Sequence, residues 1–389
     1  MTSLSHHEAI DKGFKEWNLP FYFSKPVVTH LKHMLDGMFT KGFAGKLTDI
    51  HTLSHHSKHR TTLGHFLANG AWNESYLLRL SQQYVRQMID LSRPVFFLLD
   101  DTISKKTKPS SQAKSPVESC GFHFSHTEGK PVWGHQIVQM IVKSGDQAYP
   151  YEHQLYEKDQ TESKIALSLN MIDRLPARSQ PSYLLCDSWY TSHSIVESSL
   201  SKGIHLIGAL KTNRIIYPQG IRTQAKDFAS HIQKEDTDVV TIGQESYRVY
   251  RYEGALNDIP YGVVLLSWKV ADPMDSAHMR CFLSTDTELS TAQILQYYGE
   301  RWSIETYFKQ IKGTMGFNKY QIRKKRAIER FWIIVQFAYL FVMRFGKDHF
   351  NGAVLAFRKQ KVHSVIDFVY HQTAAGAPLE QIKKELHVA

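Results

Sequence analysis

Residues Gln296–Gly316 read QYYGERWSIETYFKQIKGTMG, and the organisation of the rest of the chain follows from this stretch. Taken as one helix at about 100° per residue, it sets Tyr298, Arg301, Glu305, Lys309 and Lys312 within an arc of roughly 80°. Ile304, Phe308 and Ile311 fall on the flank of that arc and turn inward. Gly313 stands where a helix end favours a left-handed residue. A solvated helix face carries i,i+4 pairs such as Glu305 with Lys309, each worth only a few tenths of a kcal/mol. One carboxylate among an arginine, a tyrosine and two lysines is suited instead to gripping phosphate beside a carboxylate-held metal ion.

A lone carboxylate needs partners, and two lie upstream. Pro94–Thr102 reads PVFFLLDDT, a short apolar run that stops at Asp100 and Asp101. It predicts a buried strand with both carboxylates at its C-terminal edge, one of which alternatively caps a turn. Ser182–Tyr190, SYLLCDSWY, repeats the arrangement and ends on Asp187. A helix over 192–202 and a strand over 204–210 follow, closing with Lys211 to Arg214. Strand, helix, strand with short links implies parallel pairing, and functional residues of such sheets gather at the carboxyl ends of the strands. Two strand-end aspartates with a helical glutamate can hold two divalent ions, and oxygen-only ligands suit Mg²⁺ or Mn²⁺.

The remaining segments fill in around this core. Residues 1–92 read as helical, with apolar residues at three- and four-residue spacing over 26–37 and 74–89. Between them lies the His- and Lys-rich stretch His51–Trp72, read either as part of a DNA-contacting module or as part of a small helical cap. Its histidines lack metal-ligand spacing. Ser104–Ser119 is rich in Ser, Lys and Pro and reads as a mobile basic loop. Strands are expected over 133–143 and 148–156, and a helix over 161–173. From 215 to 284 the pattern changes to alternating apolar runs with turns, a β-rich antiparallel insertion. A second part of the core spans 285–345 and ends in a long apolar helix over 328–345, and 346–389 is a helical C-terminal region. The fold class is α/β, a mixed sheet flanked by helices in a core whose first part spans 93–214.

The net charge is +10 and the pI about 9.2. From Thr306 onward there are 15 Lys and Arg against 5 Asp and Glu, an excess equal to that of the whole chain. Such asymmetry favours a polyanionic partner, most simply nucleic acid. The cluster Arg323, Lys324, Lys325, Arg326 is read as a phosphate contact, against a merely solvated charge run. No apolar run reaches 18 residues, so no membrane partner is expected, and the N-terminus carries no recognisable secretory signal. Three scattered cysteines give neither a disulfide framework nor a zinc site, which fits a reducing cytoplasm.

Tyr298-x2-Arg301-x3-Glu305-x6-Lys312 matches the YREK signature of bacterial insertion-sequence transposases of the DDE class, cut-and-paste enzymes. The segments around Asp100 and Asp187 look like that family's two acidic motifs. The resemblance covers roughly 94–336. It implies a ribonuclease H-like fold with Asp100, Asp187 and Glu305 as catalytic and metal-binding triad, holding two Mg²⁺ ions for which Mn²⁺ substitutes. The family's Asp-x-Thr motif selects Asp100 over Asp101. It implies that Tyr298, Arg301 and Lys312 contact double-stranded DNA at the terminal inverted repeats, with Lys309 a further cation on that face. Water would attack at the element end, and the released 3′-hydroxyl would attack target DNA; a homodimer on DNA, associated with the bacterial nucleoid, is expected. Trp189 and Trp302 are candidates for stacking an extruded base, or else core aromatics. The competing functions are a nuclease without strand transfer and a DNA-binding regulator that has lost catalysis, the latter disfavoured by retention of all three carboxylates.

Overall fold

The computed structural model describes residues 7–54, 59–158, 162–176, 180–346 and 349–386. Residues 55–58 of the His-rich stretch and Thr161 of the expected helix lie outside the described residues. The chain forms two compact units: Met1–Gln87, Ile103–Gln136 and Tyr307–Ala389 in one, Met88–Thr102 and Ile137–Thr306 in the other.

The first unit is mainly helical. Its centre is the helix Lys325–Phe345, whose residues from Phe331 to Val342 are buried on every side; this makes the apolar run a core helix. Phe14 packs edge-on against Phe337 at 5.9 Å and Phe39 stacks on Phe341 at 5.8 Å, so the helices His7–Glu16 and Lys25–Met38 pack on it. Arg330 is fully buried in this core, bonded to Glu74 at 3.0 Å and to the carbonyls of Leu67 and Gly70. The C-terminal region is helical over Phe350–Ala374 and Leu379–Glu385.

The second unit holds a mixed sheet with helices on it. The strands of the chain are β1 (Val95–Lys105), β2 (Gly121–Ser125), β3 (Lys130–Ser144), β4 (Gln147–Tyr156), β5 (Ser182–Cys186), β6 (His205–Leu210), β7 (Ile215–Ile216), β8 (Thr223–Gln224), β9 (Asp238–Ile242), β10 (Glu245–Leu256), β11 (Ile259–Lys269) and β12 (Arg280–Ser284); the end of β1, β2 and the start of β3 belong to the first unit. The order runs β3-β1-β5-β6-β12-β11-β10, with β4 on β3 and β9 on β10. β1, β5 and β6 are parallel. Val95–Leu99 and all of β5 are buried, as parallel strands covered on both faces require. Within 215–284, β10 pairs antiparallel with β11 and β11 with β12, and the segment extends this sheet, because β12 pairs with β6.

Four sequence expectations need correction. β1 does not stop at its aspartates but continues to Lys105; only its pairing with β5 ends, at Leu99↔Cys186. The loop after β1 is anchored: Lys106 Nζ bonds the carbonyls of Asn318 and Tyr320 at 2.9 and 2.8 Å, and Glu118 pairs with Lys324 at 2.8 Å. Gln296–Gly316 is two helices, Thr291–Gly299 and Trp302–Gly313, joined by a tightened turn in which Arg301 N–H bonds the Tyr298 carbonyl. The left-handed residue is Gly316, at φ 64°, not Gly313. A Cβ on Gly316 would meet Gly45 Cα at 2.3 Å, so that crossing admits only glycine.

Candidate active site

The end of the β1–β5 pairing builds the site. Leu99 and Cys186 are the last partners, so Asp100, still within β1, and Asp187, the first residue past β5, come together where this pairing opens. Asp187 is held by the turn that follows it: its Oδ1 accepts from the backbone N–H of Trp189 at 2.9 Å and of Tyr190 at 3.2 Å, which fixes the approach to the helix His193–Ser201. Glu305 comes from the first turn of Trp302–Gly313.

Arg301 ties these elements together. Its Nη1 donates to Asp100 Oδ2 at 2.9 Å and its Nη2 to Glu305 Oε1 at 2.6 Å. The Arg301 side chain is only 15% exposed, and its guanidinium fork spans two carboxylates from different elements. Burial, with the charges of Asp187 and Asp101 added, pushes the Asp100 carboxyl up to about 7 against the pull of Arg301. Tyr298 lies against Arg301 and Phe282, 4.7 Å between the rings, and burial raises its phenol pKa.

Asp101 has a different environment. Successive strand residues face opposite ways, and its Oδ1 accepts from Lys164 Nζ at 2.7 Å and from the Tyr190 hydroxyl at 2.8 Å. Lys164 also sits 4.1 Å from the centre of the Trp189 ring, a cation–π contact that props this tryptophan beside the site. Neither Lys164 nor Tyr190 stood out in the sequence. Tyr190 lies three residues after Asp187, a signal of position alone, and Lys164 is 63 residues from its partner.

The other expected residues distribute as follows. Trp189 and Trp302 are 41% and 66% exposed, so neither is a core aromatic. Lys309 is exposed; Lys312 is half-buried near the Phe308 ring, and its amine pKa is lowered by burial. In the basic cluster, Arg323 donates to the Ser115 carbonyl at 3.0 Å, Lys324 pairs with Glu118, Lys325 offers its backbone N–H to Glu118, and Arg326 stands 3.7 Å from Glu74. A cavity of about 650 Å³ opens beside Tyr298, with Ser188, Tyr247, Lys269, Arg280 and Phe282 in its walls. Cys186 is buried and its thiol pushed up to about 12, so it is not a nucleophile here.

Among the described residues no three His, Cys, Asp or Glu side chains converge closely enough to hold a metal ion. The donor set nevertheless suits a hard cation: Asp100, Asp187 and Glu305 offer oxygen only, and the charge Asp100 and Glu305 demand is already met by a guanidinium lying between them. No described helix is long and apolar enough to cross a membrane. A family model described as a transposase DDE domain matches residues 91–341, which takes in Asp100, Asp187, Glu305 and the whole sheet from β1 to β12. No curated protein matches the chain.

Proposed function

The chain belongs to the transposase DDE domain family, and we propose that it is the transposase of a bacterial insertion sequence, with Asp100, Asp187 and Glu305 as its catalytic carboxylates. The observation that carries this reading is the placement of Asp100 and Asp187 side by side past Leu99↔Cys186, with Glu305 drawn to Asp100 by Arg301. DNA is the family's substrate, and membership makes the chain an enzyme of nuclease and transposition chemistry. The finer reading is cleavage at terminal inverted repeats, followed by joining of the 3′-hydroxyl to target DNA by in-line displacement, on a ribonuclease H-like core.

Asp100, Asp187 and Glu305 would hold two Mg²⁺ ions, or Mn²⁺ in their place. Bound there, the ions supply Lewis-acid activation of an attacking oxygen and stabilisation of a leaving one. Arg301, Tyr298 and Lys312, with Lys309, position phosphates by charge and hydrogen bonds, and the cluster Arg323–Arg326 contacts the backbone further off. Trp189, half-exposed and backed by Lys164, offers a stacking surface for an unpaired base, as does Trp302. Two cut ends imply two protomers, so a homodimer on DNA belongs to this reading.

The test is incubation of the full chain with Mg²⁺ and DNA carrying candidate terminal repeats. Cleavage with joining supports a transposase; cleavage without joining makes the chain a nuclease that transfers no strand. Binding without either reaction reduces it to a DNA-binding regulator.

A further inference from the structure

We propose that Arg301 is a built-in counterion that holds the metal-free site and gives way to the divalent ion. The inference rests on the assignment of Asp100, Asp187 and Glu305 as metal ligands. It adds that this chain carries a cation of its own to occupy their charge until a metal arrives.

The geometry is that of an exchange site. The guanidinium takes one oxygen each from Asp100 and Glu305, at 2.9 and 2.6 Å, which leaves it between carboxylates of two different elements. Asp187 adds a third negative charge close enough to Asp100 to act on it. Three partly buried carboxylates without a cation repel one another and resist folding into one site. Arg301 satisfies the two it touches while leaving Asp187 bound to the turn at Trp189 and Tyr190. Arg301 lies in the turn between Thr291–Gly299 and Trp302–Gly313, outside both helices, and its neighbour Trp302 is 66% exposed.

Replacing a charge of +1 by +2 among the same oxygens frees the guanidinium within reach of whatever phosphate lies at the site. Metal binding and DNA binding then strengthen each other by one and the same factor. An arginine that is only a strut between two elements would stay in place when metal binds. It would weaken metal affinity, not strengthen it, on removal.

The deciding experiment measures Mn²⁺ binding to the full chain without DNA, counting free Mn²⁺ by electron paramagnetic resonance. Arg301→Gln keeps the shape and drops the charge; it should bind Mn²⁺ about tenfold tighter than the parent, because a competing cation has left the ligands. Arg301→Lys, which cannot fork across both carboxylates, should fall between the two. Asp187→Asn should weaken binding in every background. Unchanged or weaker binding in Arg301→Gln, with Asp187→Asn still weakening it, overturns the counterion and leaves the metal site standing. If Asp187→Asn changes nothing, the metal-site assignment fails and the counterion with it. An experiment on the unsubstituted protein covers the case of a variant that does not fold. The nitrogen-15 signals of the Arg301 Nη–H groups, identified by their loss in a variant or by residue-specific labelling, should be protected from exchange without Mg²⁺ and lose that protection on titration. Signals indifferent to saturating Mg²⁺ overturn the proposal.

Discussion

Arg330 and Arg301 are both held by carboxylates, and they are held differently. Arg330, in the helical unit, has no exposed side-chain surface. It meets Glu74 at 3.0 Å, donates to the carbonyls of Phe66, Leu67, Gly70 and Trp72, and lies 4.4 Å from the Trp72 ring. One charge is paired and the remaining donors are spent on neutral backbone, so the group fastens segments 66–74 to the central helix. Arg301, in the sheet unit, bridges two carboxylates and lies on a turn. Its environment has an excess of negative charge that another cation can satisfy, whereas that of Arg330 has none to spare. The first arginine is part of the core; the second stands in a site.

The largest effects should separate the two regions by the quantity that changes. Asp187→Asn or Glu305→Gln should lower the rate of DNA cleavage by about three orders of magnitude or more, with DNA affinity and urea midpoint nearly unchanged. Cleavage retained in either variant removes that residue from the site. Arg330→Ala should instead cost about 3–5 kcal/mol of stability by urea denaturation, because Glu74 and a ring of carbonyls lose a buried partner together. A loss under 1 kcal/mol would mean that water replaces the guanidinium and that the contrast with Arg301 is overdrawn.

A smaller effect divides the two neighbouring aspartates. Asp101→Asn weakens its bonds to Lys164 and Tyr190, and Lys164 no longer steadies Trp189 against a fixed charge. It should cost about 1–2 kcal/mol of stability and lower cleavage far less than Asp100→Asn does. Equal losses of cleavage in the two variants would show that both carboxylates serve the reaction.

The sequence made the strands of the core legible because Phe96–Leu99 and Tyr183–Cys186 are uninterrupted apolar runs, each closed by an aspartate. It made the YREK helix legible only in part. The i→i+3 turn at Glu300–Arg301 leaves the spacing of Ile304, Phe308 and Ile311 untouched, so nothing in the apolar pattern reports the break. Gly313 was the wrong glycine for the same reason: the need for Gly316 arises from Gly45, more than 270 residues earlier, and no local signal carries it. The partners of Asp101 were out of reach likewise. Pairing of Asp100 and Asp187 was foreseeable from strand ends, while the span of Arg301 between Asp100 and Glu305 required the two elements to be seen together.

An effect of similar size concerns protons at Asp100 in the metal-free protein. Its folded carboxyl is pushed up to about 7, above its value in an unfolded chain. Between about 4 and 7 the folded state therefore holds a proton that the unfolded state has released, and this group's contribution to stability falls as pH rises through that window. Above about 7 both states are ionised and the contribution levels off. Asp100→Asn behaves as a permanently neutral acid and should not share the fall. Urea midpoints taken from pH 4 to pH 8 should show the variant gaining on the parent by about 2 kcal/mol, with most of the gain below pH 7. The same comparison at Glu74, whose carboxyl is held below the usual range by its backbone and Arg330 bonds against the cost of burial, has the opposite sign: its contribution is present near neutrality and is lost as pH falls. A parent-minus-variant stability difference at Asp100 that stayed level or increased with rising pH would show Arg301 neutralising that carboxylate as fully as Arg330 neutralises Glu74, and the distinction between an exchangeable and a structural arginine would fall.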